Sequence, residues 1–90
     1  MENELKEYLD KLNLFVPIVN RVHGKEHPEF NRVHSLYNDL VKKLEAGEKL
    51  EEIFAKLREV TNNYEVPSDT CESYEAVYHM LAKLDQHFTK

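Results

Sequence analysis

Apolar residues return along this chain at steps of three and four, the spacing that puts them on one face of an α-helix. Leu5, Tyr8, Leu9, Leu12, Phe15, Val16, Val19 and Val22 form the first such stripe and predict a helix from about Glu2 to Val22. Glu2, Glu4 and Glu7 suit the positive end of its dipole. Pro17 lacks a backbone N–H and is expected to bend or split it. The run His23-Gly24-Lys25-Glu26-His27-Pro28 pairs a helix-ending glycine with a proline suited to a first helical position. A second helix is predicted from about Pro28, with Phe30, Val33, Tyr37, Leu40, Val41 and Leu44 as its stripe and Ala46-Gly47 as its end.

A third stripe runs through Leu50, Ile53, Phe54, Leu57 and Val60 and stops at Thr61-Asn62-Asn63-Tyr64, whose side chains compete for backbone hydrogen bonds. Pro67 marks a loop. Ser68 or Asp69 is placed to cap a fourth helix, Asp69 and Glu72 having the spacing of a capping box. Its stripe is Cys71, Tyr74, Val77, Tyr78, Leu81, Leu84 and Phe88. Four amphipathic helices with short connections predict an all-α, up-and-down four-helix bundle, or else a three-helix core with the third helix as a short lateral segment. Residues 1–90 are read as a single helical domain, a length that suits one core.

Composition narrows the function. Seventeen acidic against twelve basic residues give a net charge of −5, which repels phosphate backbones and anionic headgroups, so neither nucleic acid nor membrane is an expected partner. The apolar run Leu14 to Val19 is short and interrupted by Pro17, and the chain is expected to be soluble and unexported. Cys71 is the single cysteine, which fits a reducing, cytoplasmic compartment.

Five histidines raise the question of a metal site. Di-iron bundles set a carboxylate three residues before a histidine or four after it, on one helix face. His27 is followed at that fourth position by Asn31, His34 by Asn38 and His79 by Lys83. Glu75 and His79 are a helical acid–histidine pair, but they share a polar stripe with Glu72, Lys83 and Gln86 and read as a solvated face. His34 flanks a stripe and is expected to find a hydrogen-bond partner in the core. His23 and His27, four apart across a turn, are the candidate metal ligands. Without a metal, His23 would cap the end of the first helix and His27 would begin the second. Cys71 reads as a small core residue. No nucleophile is paired with a base at a recognisable spacing, and no phosphate loop is present, so the chain is not expected to be an enzyme.

Two stretches, Arg21-Val22-His23-Gly24 through His27-Pro28-Glu29 and Leu57-Arg58-Glu59-Val60-Thr61-Asn62-Asn63-Tyr64 followed by Pro67, Cys71 and Tyr74, resemble the RIC (repair of iron centres) family of hemerythrin-like di-iron proteins. The resemblance covers about half of the chain. It implies a helical bundle, a role in repair of iron–sulfur clusters under nitrosative or oxidative stress, and iron as the candidate cofactor. Of the family's ligands, His23 alone carries over, as the histidine of the "VHG" motif. The family's first-helix histidine would fall at or before Met1, and its segment between the second and third helices is missing. The acid–histidine pair that normally precedes the "LREVTNNY" stretch is absent, and His87 lies outside the register of the family's last ligands. Two readings follow. One is a RIC-like protein that binds iron through His23 and His27 and completes the shell in a homodimer; the other is a metal-free helical module that binds a protein partner.

Overall fold

The computed structural model describes the backbone of residues 3–89 and the side chains of residues 5–89. The contributions expected from Glu2 and from the Glu4 side chain lie outside the described residues. Four helices follow in chain order, α1 (Asn3–His23), α2 (Glu29–Ala46), α3 (Glu51–Thr61) and α4 (Glu72–Phe88). They form an all-α four-helix bundle in which α1 packs on α2 and α4, and α2 packs on α3.

α1 is not split at Pro17. The proline sits on the exposed side, where water can satisfy the carbonyl its missing N–H leaves free. Val16 and Val19 on either side of it are buried and hold the helix to the core. Val22, expected in the stripe, is 62% exposed. At 100° per residue it falls about 120° around the helix from Val16, whereas His23, seven residues on from Val16, returns to the buried side. A histidine therefore ends the apolar stripe, and it is 9% exposed.

The chain then turns within five residues. His27 N–H donates to the His23 carbonyl at 2.8 Å, and Phe30 N–H to the His27 carbonyl at 2.9 Å. Gly24 is required here by close approach, because a Cβ at that position would collide with the carbonyl oxygen of Asn20. Pro28, with φ −60° and ψ −22°, stands just before α2 rather than inside it. Phe30, Val33, Leu36, Tyr37 and Leu40 are buried along α2, while the expected Val41 and Leu44 are only partly so. Gly47 closes the helix at φ +71°, and the N–H groups of Gly47 and Glu48 reach the Leu44 and Lys43 carbonyls.

α3 packs on α2, and its Phe54 and Leu57 are completely buried. Its end is unusual, with Asn62, Asn63 and Tyr64 all in the left-handed region, at φ 53°, 60° and 64°. For residues with a Cβ that costs on the order of 1 kcal/mol each, so other contacts must hold the turn. Thr61 Oγ1 donates to the Leu57 carbonyl at 2.6 Å and accepts from Tyr64 N–H at 2.8 Å. The Tyr64 hydroxyl donates to Asp85 Oδ2 at 2.8 Å, and Arg58 Nε lies 3.0 Å from the same oxygen. Thr89 Oγ1 donates to Asp85 Oδ1 at 2.7 Å. One buried carboxylate thus ties the turn after α3 to α4.

α4 begins later than expected. Cys71, in extended conformation, takes the cap position without a side-chain cap bond, and neither Ser68 nor Asp69 caps the helix. Cys71 is exposed rather than part of the core, because it precedes the first helical turn and its side chain leaves the stripe. Tyr74, Val77, Tyr78, Leu81 and Leu84 are buried as expected, joined by Met80 and Asp85.

Replacing Asp85 by Ala is expected to destabilise the fold by about 2–3 kcal/mol, the worth of hydrogen bonds to a buried charged group. The half-exposed Arg58 contributes little to that figure. Urea denaturation followed by circular dichroism measures the difference, and a loss below about 0.5 kcal/mol would show that the turn is held by other contacts.

Candidate functional site

The end of α1, the 24–28 turn, the loop before α4 and the first turns of α4 converge on one polar cluster. His23 Nε2 lies 3.2 Å from Cys71 Sγ, while His23 Nδ1 is buried without a hydrogen-bond partner. The expected capping bond of His23 is not formed. His27 is held from both sides, Nδ1 lying 3.1 Å from Glu29 Oε2 and Nε2 lying 3.1 Å from Asp69 Oδ1. A ring carrying both protons donates to both carboxylates at once.

Tyr74 packs against both histidines from one side. Its ring meets His23 edge-on at 5.5 Å between centroids and His27 at 5.6 Å, and the histidine rings are themselves 6.4 Å apart, so the three rings form a triangle. The Tyr74 hydroxyl is 3.0 Å from that of Tyr78 and 3.5 Å from Glu29 Oε2. A line of hydrogen-bonding groups therefore runs from Asp69 through His27, Glu29 and Tyr74 to Tyr78. Burial drives the Tyr74 hydroxyl far above the usual tyrosine range, and its bond to Tyr78 adds to this. Burial raises Tyr78 as well. Both phenols are thus held neutral. Beside them opens a surface cavity of about 560 Å³ bordered by Glu29, Thr61, Asn62, Glu65, Pro67 and Tyr78.

The structure brings His23 and His27 to the same cluster and leaves the other histidines elsewhere. His34 Nδ1 accepts from Asn20 Nδ2 at 3.1 Å, a satisfied, half-buried histidine as expected. His79 lies exposed with Glu72, Glu75, Lys83 and Gln86 on a solvated face of α4. Sequence reasoning missed Asp69, Glu29 and Cys71 as the partners of the two histidines, because all three depend on the path of a loop. The tyrosine pair left a signal in its four-residue spacing on an apolar stripe.

A di-iron centre does not fit these residues. The two carboxylates near His27 address opposite nitrogens of one ring and do not converge on a shared point. His23 Nε2 faces the thiol, and the two histidine rings are tilted 55° to one another with centroids 6.4 Å apart. Among the described residues no group of three or more His, Cys, Asp or Glu side chains is arranged to hold a metal ion.

Comparison with known proteins gives one relative. The iron-sulfur cluster repair protein ScdA of Staphylococcus haemolyticus is 23% identical over 117 residues, covering 91% of this chain and 53% of the relative. This chain therefore spans about half the length of the curated relative it matches. The aligned stretch of 117 residues exceeds all 90 residues of this chain, so the relative carries additional residues within the shared span. No family model matches the chain, and no solved structure does.

The buried phenols set an alkaline limit. Burial and the nearby Asp10 charge push Tyr37 up to about 12, and Tyr64, Tyr74 and Tyr78 are also raised. In the unfolded chain these groups ionise near pH 10, before the folded ones do. Their contribution to stability is complete below about pH 10 and is lost as pH climbs toward the folded values. The urea midpoint is expected to hold up to about pH 9 and to fall by about pH 11, with tyrosinate absorbance appearing as the helical signal is lost. Tyrosinate absorbance at full helicity would show that the phenols titrate in the folded protein.

Proposed function

We propose that this chain serves iron–sulfur cluster repair under nitrosative and oxidative stress, as a non-enzymatic helical protein that works through a protein partner. The observation that carries the reading is the match to the iron-sulfur cluster repair protein ScdA across nearly the whole of this chain. The "VHG" and "LREVTNNY" stretches support it, since the first supplies the His23 turn and the second builds the Asp85-anchored turn. A cytoplasmic setting belongs to the proposal and rests on the single, unpaired Cys71. No helix among the described residues is long and apolar enough to cross a membrane.

The centre of the bundle favours the partner reading over a chain that carries its own iron. Tyr74, Tyr78 and Phe30 pack together there, with ring centroids 4.8 to 6.2 Å apart. Iron held by His23 and His27 is the second reading, and the unpartnered Nδ1 of His23 is the observation in its favour. It requires a nitrogen of His27 to leave Glu29 or Asp69 for the metal.

Two measurements test the proposal. In a strain lacking the gene, recovery of a [4Fe–4S] dehydratase after nitric oxide exposure is expected to slow, and both the wild-type chain and His27→Ala are expected to restore it. Unchanged recovery in the deletion strain would overturn the repair role. Anaerobic iron loading followed by metal analysis is expected to leave the protein with far less than one iron per chain. Stoichiometric iron that is lost in His27→Ala would overturn the metal-free reading.

A further inference from the structure

Cys71 and His23 are 48 residues apart in the chain, yet the fold sets His23 Nε2 3.2 Å from Cys71 Sγ. A nucleophile and a base within hydrogen-bond reach are the elements of an activated thiol. No sequence spacing shows this pair, because the path of the loop before α4 makes it. Cys71 is exposed, whereas the His23 ring is 9% exposed and lies edge-on against the buried Tyr74, a packing that fixes its direction. Its other nitrogen, Nδ1, is buried without a hydrogen-bond partner. The sulfur is therefore the ring's one hydrogen-bond partner among the described residues, and Nε2 is free to accept its proton.

A surface cavity of about 330 Å³ opens beside the sulfur, bordered by Val66, Pro67, Thr70, Glu72 and Glu75 as well as by Cys71 itself. Glu72 and Glu75 are exposed and are the charged residues of that border, on a chain whose net charge is −5. Such a cavity attracts a small cation and repels a small anion. We propose that Cys71, activated by His23, is a thiol–disulfide exchange site that takes up small cationic aminothiols from their disulfides.

In the exchange, Sγ attacks one sulfur of the small disulfide as His23 Nε2 takes its proton. A new S–S bond forms at Cys71, the old one breaks, and the departing thiolate recovers the proton from His23. One thiol and one disulfide enter, and one mixed disulfide and one thiol leave. Because Cys71 is the single cysteine, no second thiol of the chain can expel the adduct, which persists until an external thiol removes it. The inference does not rest on the repair role, and each fails without the other.

The test follows the absorbance of the thiopyridone released when the native chain reacts with an uncharged dipyridyl disulfide. The same chain unfolded in urea gives the rate of a cysteine with no base beside it. The native rate is expected to exceed the unfolded rate at least about tenfold, below the full contribution of a positioned base. His23→Gln keeps a side chain that can bond the sulfur but cannot take its proton, and is expected to lose that excess with helicity unchanged. Cys71→Ser is expected to release nothing. By mass spectrometry at low salt, the mixed disulfide is expected to form at least about threefold faster from cystamine, a cation, than from glutathione disulfide, an anion, after each is normalised to free cysteine; high salt is expected to remove the preference. A native rate no greater than the unfolded rate would overturn the proposal whether or not the variant folds. So would a folded His23→Gln chain that keeps the native rate, and equal rates with the two disulfides would overturn the cationic class.

Discussion

Tyr74 is where three helices meet. Its fully buried ring touches His23 at the end of α1, His27 in the turn, Phe30 in α2 and Tyr78 one turn along α4. An aromatic ring brings a large apolar area, and its edge-to-face contacts add directional preference beyond burial. The hydroxyl then finds Tyr78 and Glu29, so this fully buried side chain is also satisfied as a polar group. Without that ring the α1–α2 corner would close on nothing, and the first turn of α4, which has no side-chain cap, would lose its main attachment.

At the other end of α4 the same problem is solved with charge. Asp85 is nearly buried yet holds Tyr64, Arg58 and Thr89 at once, which keeps three residues after α3 in left-handed geometry. Both anchors lie on α4, eleven residues apart, and each fixes the loop that neighbours it. The helix therefore acts as a rod to which the turn after α1 and the turn after α3 are separately fastened. The loop before α4, residues 65–71, supplies Asp69 to His27 and Cys71 to His23.

Periodicity made four helices and most of their buried faces legible, because side chains at three- and four-residue steps share a face whatever they pack against. Gly47 was legible for the same kind of local reason, a left-handed residue ending a helix. Val22 and His23 show where the method misleads: the eye takes the aliphatic residue, while the helical angle buries the imidazole. Cys71 misleads in another way, since a position on a stripe has no fixed direction until the helix has begun. Asp69, Glu29 and Asp85 were invisible as partners, for their roles arise from loop paths and from helices crossing in space. His34 was readable because its partner Asn20 faces it across two packed helices.

The chemistry available to the His23–His27 corner follows from how its neighbours are protonated. Iron inside a bundle is held by anionic oxygens and by imidazole nitrogens free to point at the ion. Here the hydroxyls of Tyr74 and Tyr78 lie 3.0 Å from one another, and burial raises both phenols and holds them neutral, so they act toward each other as hydrogen-bond groups. The carboxylates of Glu29 and Asp69 lie against the two nitrogens of His27, and Glu29 Oε2 also meets the buried Tyr74 hydroxyl. Both nitrogens of His27 are thus engaged, while one buried nitrogen of His23 is left without a partner. These contacts join the end of α1, the 24–28 turn, the loop before α4 and the first turn of α4 at one corner, so a change at His27 or Tyr74 reaches all four segments.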